Sequence, residues 1–177
     1  SLGLFVLAEA ELRRRSASNL HTLTAYDAVQ TFPGIALDLG AITHASYVTE
    51  LVGELCPKGQ PEPALFHLLL ATYDHLERHP PSPVVLRFLE YRALAAAGLA
   101  PQVQACVRCG RVISSQTSAV DDVRVGFDVD KGGVVCTGCC RAGEGIGDET
   151  LAALRALGTL SLGEAARLQW PEETRAE

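Results

Sequence analysis

The sequence predicts a mainly α protein, in which a helical bundle domain carries an inserted four-cysteine module and follows a pair of strands. Three observations predict this class. A period-two pattern fills residues 2–32, a helical period runs through residues 38–98, and two Cys-x-x-Cys pairs then separate this region from a last helical stretch. With 47% hydrophobic and 20% charged residues, the 177-residue chain has the composition of an ordinary globular protein.

The N-terminal strands are predicted over residues 2–12 and 20–32. Apolar residues alternate with Glu9 and Glu11 in the first segment, which is typical of a half-buried strand. Residues 13–19 indicate a turn between the two strands. Two strands alone do not form a stable sheet, so this pair must pack on helices or belong to a larger sheet.

Three helices with short breaks are predicted next, which favours a small bundle. The first follows Asp38, a plausible N-cap. Its inward face is predicted to contain Leu39, Ile42, Ala45, Val48, Thr49, Val52 and Leu55. The second helix covers roughly residues 63–78. The third covers residues 84–97, with Pro83 in its first turn and Gly98 after its last.

Two cysteine pairs, Cys106 with Cys109 and Cys136 with Cys139, predict one structural Zn²⁺ site. Each Cys-x-x-Cys turn places two thiolates on one side of a metal, and four thiolates leave no open coordination position. The 26 residues between the pairs exceed the commonest spacing of about 15–20, and a hairpin over residues 123–135 accounts for the excess. After Asp148 a helical pattern returns.

Three alternatives stay open for these cysteines. The pairs could be unrelated redox or core cysteines, and Cys140 could replace Cys139 as the fourth ligand. His75, with Glu77 and the first cysteine pair, is also partly similar to the signature of zinc deaminases. Proline is missing before Cys106, and the second pair would have no role in such an enzyme.

The formal charge of −6 does not favour nucleic-acid binding over the whole surface. Basic residues are nevertheless clustered at two places, where they could contact phosphates or simply be solvated. These candidate DNA-binding residues are Arg13, Arg14, Arg15, Arg108, Arg111 and Lys131. In the third helix, Arg87 and Arg92 could hold a carboxylate or extend from the bundle into solvent.

The order of these parts resembles the RecO family of bacterial recombination mediators. The residues that carry the resemblance are 19–24 (NLHTLT), 39–51 (LGAITHASYVTEL), 87–101 (RFLEYRALAAAGLAP), 106–110 (CVRCG) and 132–139 (GGVVCTGC). The resemblance implies that residues 1–34 are the last two strands of an OB-fold, whose earlier strands are absent from this chain. It also implies a helical domain over residues 35–177, with the zinc module inserted at about 103–145, and that the chain stops before the family's last helix.

The resemblance further implies a cytoplasmic, nucleoid-associated protein that is not an enzyme. A member of this family is expected to bind single- and double-stranded DNA, to anneal strands, and to help load RecA with its partner RecR. It is also expected to bind the acidic C-terminal tail of single-stranded DNA-binding protein, for which Arg87 and Arg92 beside Phe88, Leu89 and Tyr91 are the candidates. The alternative is a zinc-ribbon scaffold that binds only other proteins.

Overall fold

A computed structural model describes residues 3–13, 21–57, 59–113, 125–141 and 145–168. The elements in chain order are strands β1 (Val6–Arg13) and β2 (Thr22–Thr31), a short 3-10 turn (Ile35–Leu37), helices α1 (Leu39–Leu55), α2 (Pro63–Leu76) and α3 (Pro83–Ala96), strands β3 (Gly126–Asp128) and β4 (Gly133–Val135), and helices α4 (Asp148–Leu157) and α5 (Leu162–Ala165). Most residues in these elements are helical, and the strands form two small antiparallel pairs, β1 with β2 and β3 with β4. The predicted mainly α class is therefore confirmed. The OB-fold and the domain boundaries stay predictions.

The three bundle helices begin and end where local chemistry requires. Asp38 caps α1 by accepting a hydrogen bond from the Ala41 amide at 2.7 Å, as predicted. Pro83 opens α3, and Gly98, with a φ of 76°, ends it. There the amide of Leu99 donates to the carbonyl of Leu94, which completes a Schellman motif.

The inward face of α1 differs from the prediction at its N-terminal end. The buried residues are Ala41, Ala45, Val48 and Val52, whereas Leu39 is 78% exposed. Gly40 lies so close to Pro81 that a Cβ atom on it would come within 2.8 Å of the proline ring. The small residues of the first turn therefore face the α2–α3 connection, and Leu39 is turned towards solvent.

Two helical cores hold the bundle and the strand pair together. The main core joins α1, α2 and α3 with the last two helices, through residues that include Val48, Leu65, Leu89 and Leu157. A second core joins the end of the hairpin to α1 and α2, where the rings of Phe5 and Phe32 meet Tyr73 edge-on. The carboxylate of Glu77 accepts hydrogen bonds from the amides of Gly34 and Ile35, which fixes the entry into the helices.

The strands β1 and β2 are more exposed than a half-buried pair. Their register shifts twice, between Leu7 and Ala8 and between Glu11 and Leu12. Leu12 is 59% exposed and Val29 60%, because the strands pack on the helices only at the end where Leu7 contacts the second core. The prediction of one buried face is therefore wrong for the outer half of this hairpin.

The module between α3 and α4 has its own small core. It is built on Val103, Ile113, Val134, Val135 and Leu151, together with the cysteines Cys106 and Cys136. Because Leu151 packs in this core and Leu157 in the main one, α4 connects the module to the bundle. The connection is reinforced by Arg155. Nowhere in the described ranges is there a helix long and apolar enough to cross a membrane.

Candidate metal centre

The four predicted ligand cysteines come together in one cluster. The sulfur atoms of Cys106, Cys109, Cys136 and Cys139 all lie within 4.8 Å of one another, and the Cys109 and Cys136 sulfurs are 3.7 Å apart. Sulfurs at about 2.3 Å from a tetrahedral zinc ion lie about 3.8 Å from each other. The cluster is therefore close in size to a four-thiolate zinc site, and the Cys109–Cys136 distance matches one.

Each cysteine pair sits on a tight turn formed by local hydrogen bonds. In the first turn, the Gly110 amide donates to the Cys106 carbonyl at 2.8 Å, and Gly110 has a φ of 76°, a conformation that favours glycine. In the second turn, the amides of Cys139 and Cys140 both donate to the Cys136 carbonyl at 2.8 Å. Both turns are the knuckles that tetrathiolate sites use to aim two sulfurs at one point.

The hairpin β3–β4 fixes the two knuckles relative to each other. The Val107 amide donates to the Val134 carbonyl at 2.9 Å, so the strand before Cys136 is bonded directly to the first knuckle. At Gly133 a Cβ atom would lie 2.5 Å from the side chain of Val107 and 2.7 Å from the carbonyl of Gln102. Only glycine permits this close approach between the hairpin and the segment of the first knuckle.

The electrostatics of the thiol cluster favour a bound cation. Burial by itself raises the pKa of Cys106, but hydrogen bonds from the amides of Cys136, Arg108 and Cys109 outweigh it and bring the pKa to about 6. Hydrogen bonds with the Cys109 and Cys136 side chains, followed by burial and the charge of Cys106, raise the pKa of Cys139 to about 12. One thiol thus ionises readily and another resists, because thiolates packed this closely repel without a positive ion.

The remaining cysteines lie outside the cluster. Cys140, the alternative fourth ligand, is half-buried, and its sulfur is 3.5 Å from the carbonyl oxygen of Arg141. Cys56 packs against the main helical core and is half-buried rather than fully buried. Of the two candidates for the fourth position, the structure brings Cys139 to the other three sulfurs.

The histidine pair near the end of α2 is separate from the cysteines. The rings of His75 and His79 are stacked with their centroids 4.5 Å apart, and burial, followed by the neighbouring His79, lowers the pKa of His75. Among the residues that the structure describes, the metal-capable cluster contains four cysteines and no histidine. The arrangement that a zinc deaminase needs is therefore not formed by His75 and these cysteines.

Arg108, which is predicted as a DNA contact, takes part in a mostly buried network of contacts within the module. Its side chain is only 15% exposed and forms an ion pair with Asp128 at 2.8 Å. It also donates a hydrogen bond to the carbonyl of Cys139, so it ties the first knuckle to the second and to the hairpin. The other oxygen of Asp128 accepts from the Lys131 amide. Burial raises the pKa of Asp128, but the hydrogen bonds from the Lys131 amide and Arg108 outweigh burial, so the pKa lies below its ordinary value.

Arg155 is a structural residue that the sequence did not reveal. Its guanidinium donates to the carbonyl of Val103 at 3.0 Å and to that of Ile113 at 2.6 Å, on either side of the first knuckle. An arginine in the last turn of a helix is common, so no sequence signal marked these contacts. By contrast, the Asp128–Lys131 turn could have been found from its spacing.

The other predicted DNA-binding residues are spread over two places. Arg13 is exposed at the end of β1, while Arg14 and Arg15 lie outside the described residues. Arg111 and Lys131 are exposed near the knuckles. The structure does not bring Arg13 together with the module residues in any contact that it describes.

Of the predicted tail-binding residues, only part lies at an open surface. Phe88 and Leu89 are 3% and 1% exposed and belong to the main core, so they cannot line a pocket, and Arg92 covers the Phe88 ring at 5.8 Å. Arg87 is exposed and forms two hydrogen bonds to Glu90, at 2.9 and 2.7 Å. It borders a cavity of about 550 Å³, here called the α3–module groove, whose walls include Arg87, Tyr91, Leu94, Phe127, Val129 and Leu154.

The fold and the cysteine cluster define a helical protein with a two-knuckle, four-cysteine module that could hold a metal ion. Residues 36–177 match the family model described as "Recombination protein O C terminal", and the chain belongs to this family.

Relatives share this similarity at moderate identity. The chain is 43% identical over 135 residues to "DNA repair protein RecO" of Anaeromyxobacter sp. (strain K), a match that covers 76% of this chain and 50% of the relative. It is 38% identical over 146 residues to the protein of the same description from Pelobacter propionicus, covering 82% of this chain and 55% of the relative. It is 36% identical over 159 residues to the protein of the same description from Geobacter sulfurreducens, and this match covers 89% of this chain and 61% of the relative. The chain thus spans about half the length of such relatives.

Proposed function

We propose that this chain is part of a DNA repair and recombination mediator. The observation that carries the proposal is the family match over residues 36–177. It is supported by the relatives, which are described as DNA repair proteins, and by a site whose chemistry is structural. Four thiolates around one Zn²⁺ leave no position for substrate or activated water, so the proposed metal is structural, and the proposed role involves no catalysis.

In the proposed role, the protein binds single- and double-stranded DNA and anneals complementary strands. Together with RecR it helps to load RecA onto DNA coated with single-stranded DNA-binding protein. The exposed hairpin β1–β2 would be the last strands of an OB-fold, a fold that commonly carries strand-tracking basic surfaces. The exposed Arg13, with Arg14 and Arg15, and the exposed Arg111 and Lys131 are the proposed phosphate contacts.

Binding of labelled single-stranded DNA over a range of salt concentrations tests this role. We expect replacement of Arg13, Arg14 and Arg15 by alanine to weaken binding to every sequence alike. The slope of log K against log salt should flatten by about 0.7–0.9 for each lost phosphate contact. Arg78→Ala, which removes an exposed arginine paired with Asp74 on α2, is the control and should leave the slope unchanged.

Two results would contradict the DNA role. A slope that the triple variant does not alter would mean that these arginines are solvated. If the unchanged chain shows no salt-dependent binding at all, the net charge of −6 instead favours a scaffold that binds only other proteins.

The α3–module groove is the proposed site for the tail of single-stranded DNA-binding protein. That tail is acidic and ends in an apolar residue with a free carboxylate, so its receptor needs an apolar pocket beside a cation. Tyr91, Leu94 and Leu154 supply the apolar wall, and Arg87 lies at the rim. Because Arg87 is already paired with Glu90, the tail carboxylate would have to take over part of that pairing.

A further inference from the structure

We propose that metal occupancy of the four-cysteine cluster controls whether the α3–module groove exists. The wall formed by the hairpin keeps its position only while the two knuckles are held together. The wall formed by α3 does not depend on the knuckles. The inference rests on the proposed zinc site. It adds a regulatory property to that site, namely that withdrawal of the metal removes the module wall of the groove and with it the proposed binding surface.

The two walls of the groove come from different cores. Phe127 and Val129 line it from the hairpin of the module, whereas Tyr91 and Leu94 line it from α3. The α3 wall is anchored by Phe88 and Leu89, which are buried in the main helical core. Among the described residues, no member of that core comes from the hairpin, so the helical wall can remain while the module wall opens.

The module wall is tied to the metal cluster at both ends. Strand β4 runs directly into Cys136, and the carbonyl and amide of Gln102 pair with Val134 and Gly132 at 2.8 and 2.9 Å. The tip of the hairpin is shaped by Asp128, which accepts from the Lys131 amide on one oxygen and from Arg108 on the other. Arg108 lies between the two ligands of the first knuckle, so it acts as a strut from the knuckle to the groove.

The metal ligands are a substantial part of the module's small core. Its strands are three residues long, and two of its buried core side chains are the ligands Cys106 and Cys136. Cores of this size generally require a metal or disulfides to stay folded. Without the metal, nothing holds the two knuckles together through their sulfurs, and the loss acts directly on the core to which Cys106 and Cys136 belong. The hairpin should therefore open before the bundle does.

Hydrogen exchange measured by mass spectrometry on the 177-residue chain tests the coupling. The zinc-loaded protein is compared with the same protein after treatment with a chelator and a reductant, and zinc is quantified in both samples. We expect residues 126–135 to lose protection by more than about tenfold, while residues 84–96 of α3 keep theirs. If the zinc-loaded protein and the metal-free protein exchange alike at residues 126–135, or if α3 loses protection equally, the inference is overturned.

A variant that keeps every ligand separates the strut from the metal. Arg108→Gln should retain zinc but raise exchange at residues 126–135, whereas Arg78→Gln, which breaks an exposed ion pair on α2, should not. Unchanged exchange in Arg108→Gln would contradict the coupling through the strut. Should the untreated protein contain no zinc, the proposed metal site itself fails, and the inference falls with it.

Discussion

Single residues decide what the metal site is, because each thiolate supplies a quarter of its coordination. Cys109→Ser should abolish zinc binding, since the hydroxyl is a far poorer ligand for this soft metal than a thiolate. Cys56→Ser and Cys140→Ser should keep one zinc per chain, because neither sulfur belongs to the cluster. Elemental analysis of the purified variants measures the stoichiometry. Full zinc content in Cys109→Ser would show that the assignment is wrong.

Single residues also separate the two arginines proposed for the protein tail. Arg87 borders the α3–module groove, whereas Arg92 lies over the Phe88 ring. Arg87→Ala should weaken binding of a labelled tail peptide by about 1.5–3 kcal/mol, the usual loss when a charge-assisted hydrogen bond is removed. Arg92→Ala is the matched control and should bind as the unchanged chain does. Equal affinities for all three proteins, measured by fluorescence anisotropy, would place the tail site elsewhere.

At the scale of elements, the helix ends contribute measurable stability. The carboxylate of Asp38 accepts a hydrogen bond of 2.7 Å from the Ala41 amide, one of the first amides of α1, which have no partner within the helix. Asp38→Ala should lower the free energy of unfolding by about 1 kcal/mol, as typical for a lost N-cap. Glu50→Ala, on the exposed side of the same helix, should change it little. Denaturant unfolding followed by circular dichroism compares the two, and equal losses would argue against the cap.

At the scale of the whole molecule, stability should depend on acid pH through the thiolates. The pKa of Cys106 in the folded, metal-free protein is about 6, and an unfolded cysteine has a pKa of about 8.5. Because folding lowers the pKa of the Cys106 thiol, this thiol contributes to the free energy of unfolding. The contribution is fully present above the pKa of the unfolded cysteine and is lost as the pH falls through about 6. Bound zinc adds to this effect, because all four ligands must remain deprotonated.

Zinc release followed with a chromogenic chelator should therefore increase as the pH falls through this range, together with loss of module protection. Cys109→Ser, which is expected to hold no zinc, is the control and should show no release. Constant zinc content from neutral pH to about pH 4 would contradict the four-thiolate assignment, because protons compete with the metal for thiolate ligands.

The sequence by itself predicts those structural features that depend on residues close together in the chain, such as helix ends and the cysteine turns. The caps at Asp38 and Gly98 are confirmed, because each rests on hydrogen bonds between residues only a few positions apart. The two cysteine pairs also come together as their spacing predicted. Local turn geometry and four soft ligands leave few other arrangements.

What only the tertiary structure decided are the contacts between residues distant along the chain. Arg108 pairs with Asp128 twenty residues away, and Arg155 donates a hydrogen bond to the carbonyl of Val103 across 52 positions. Neither contact is marked by any pattern in the sequence. Leu39 faces solvent because Gly40 packs on Pro81. The α3–module groove likewise exists only where two cores meet. Sequence periodicity and spacing determine which elements and ligands form, but the partner of a long side chain depends on how those elements pack.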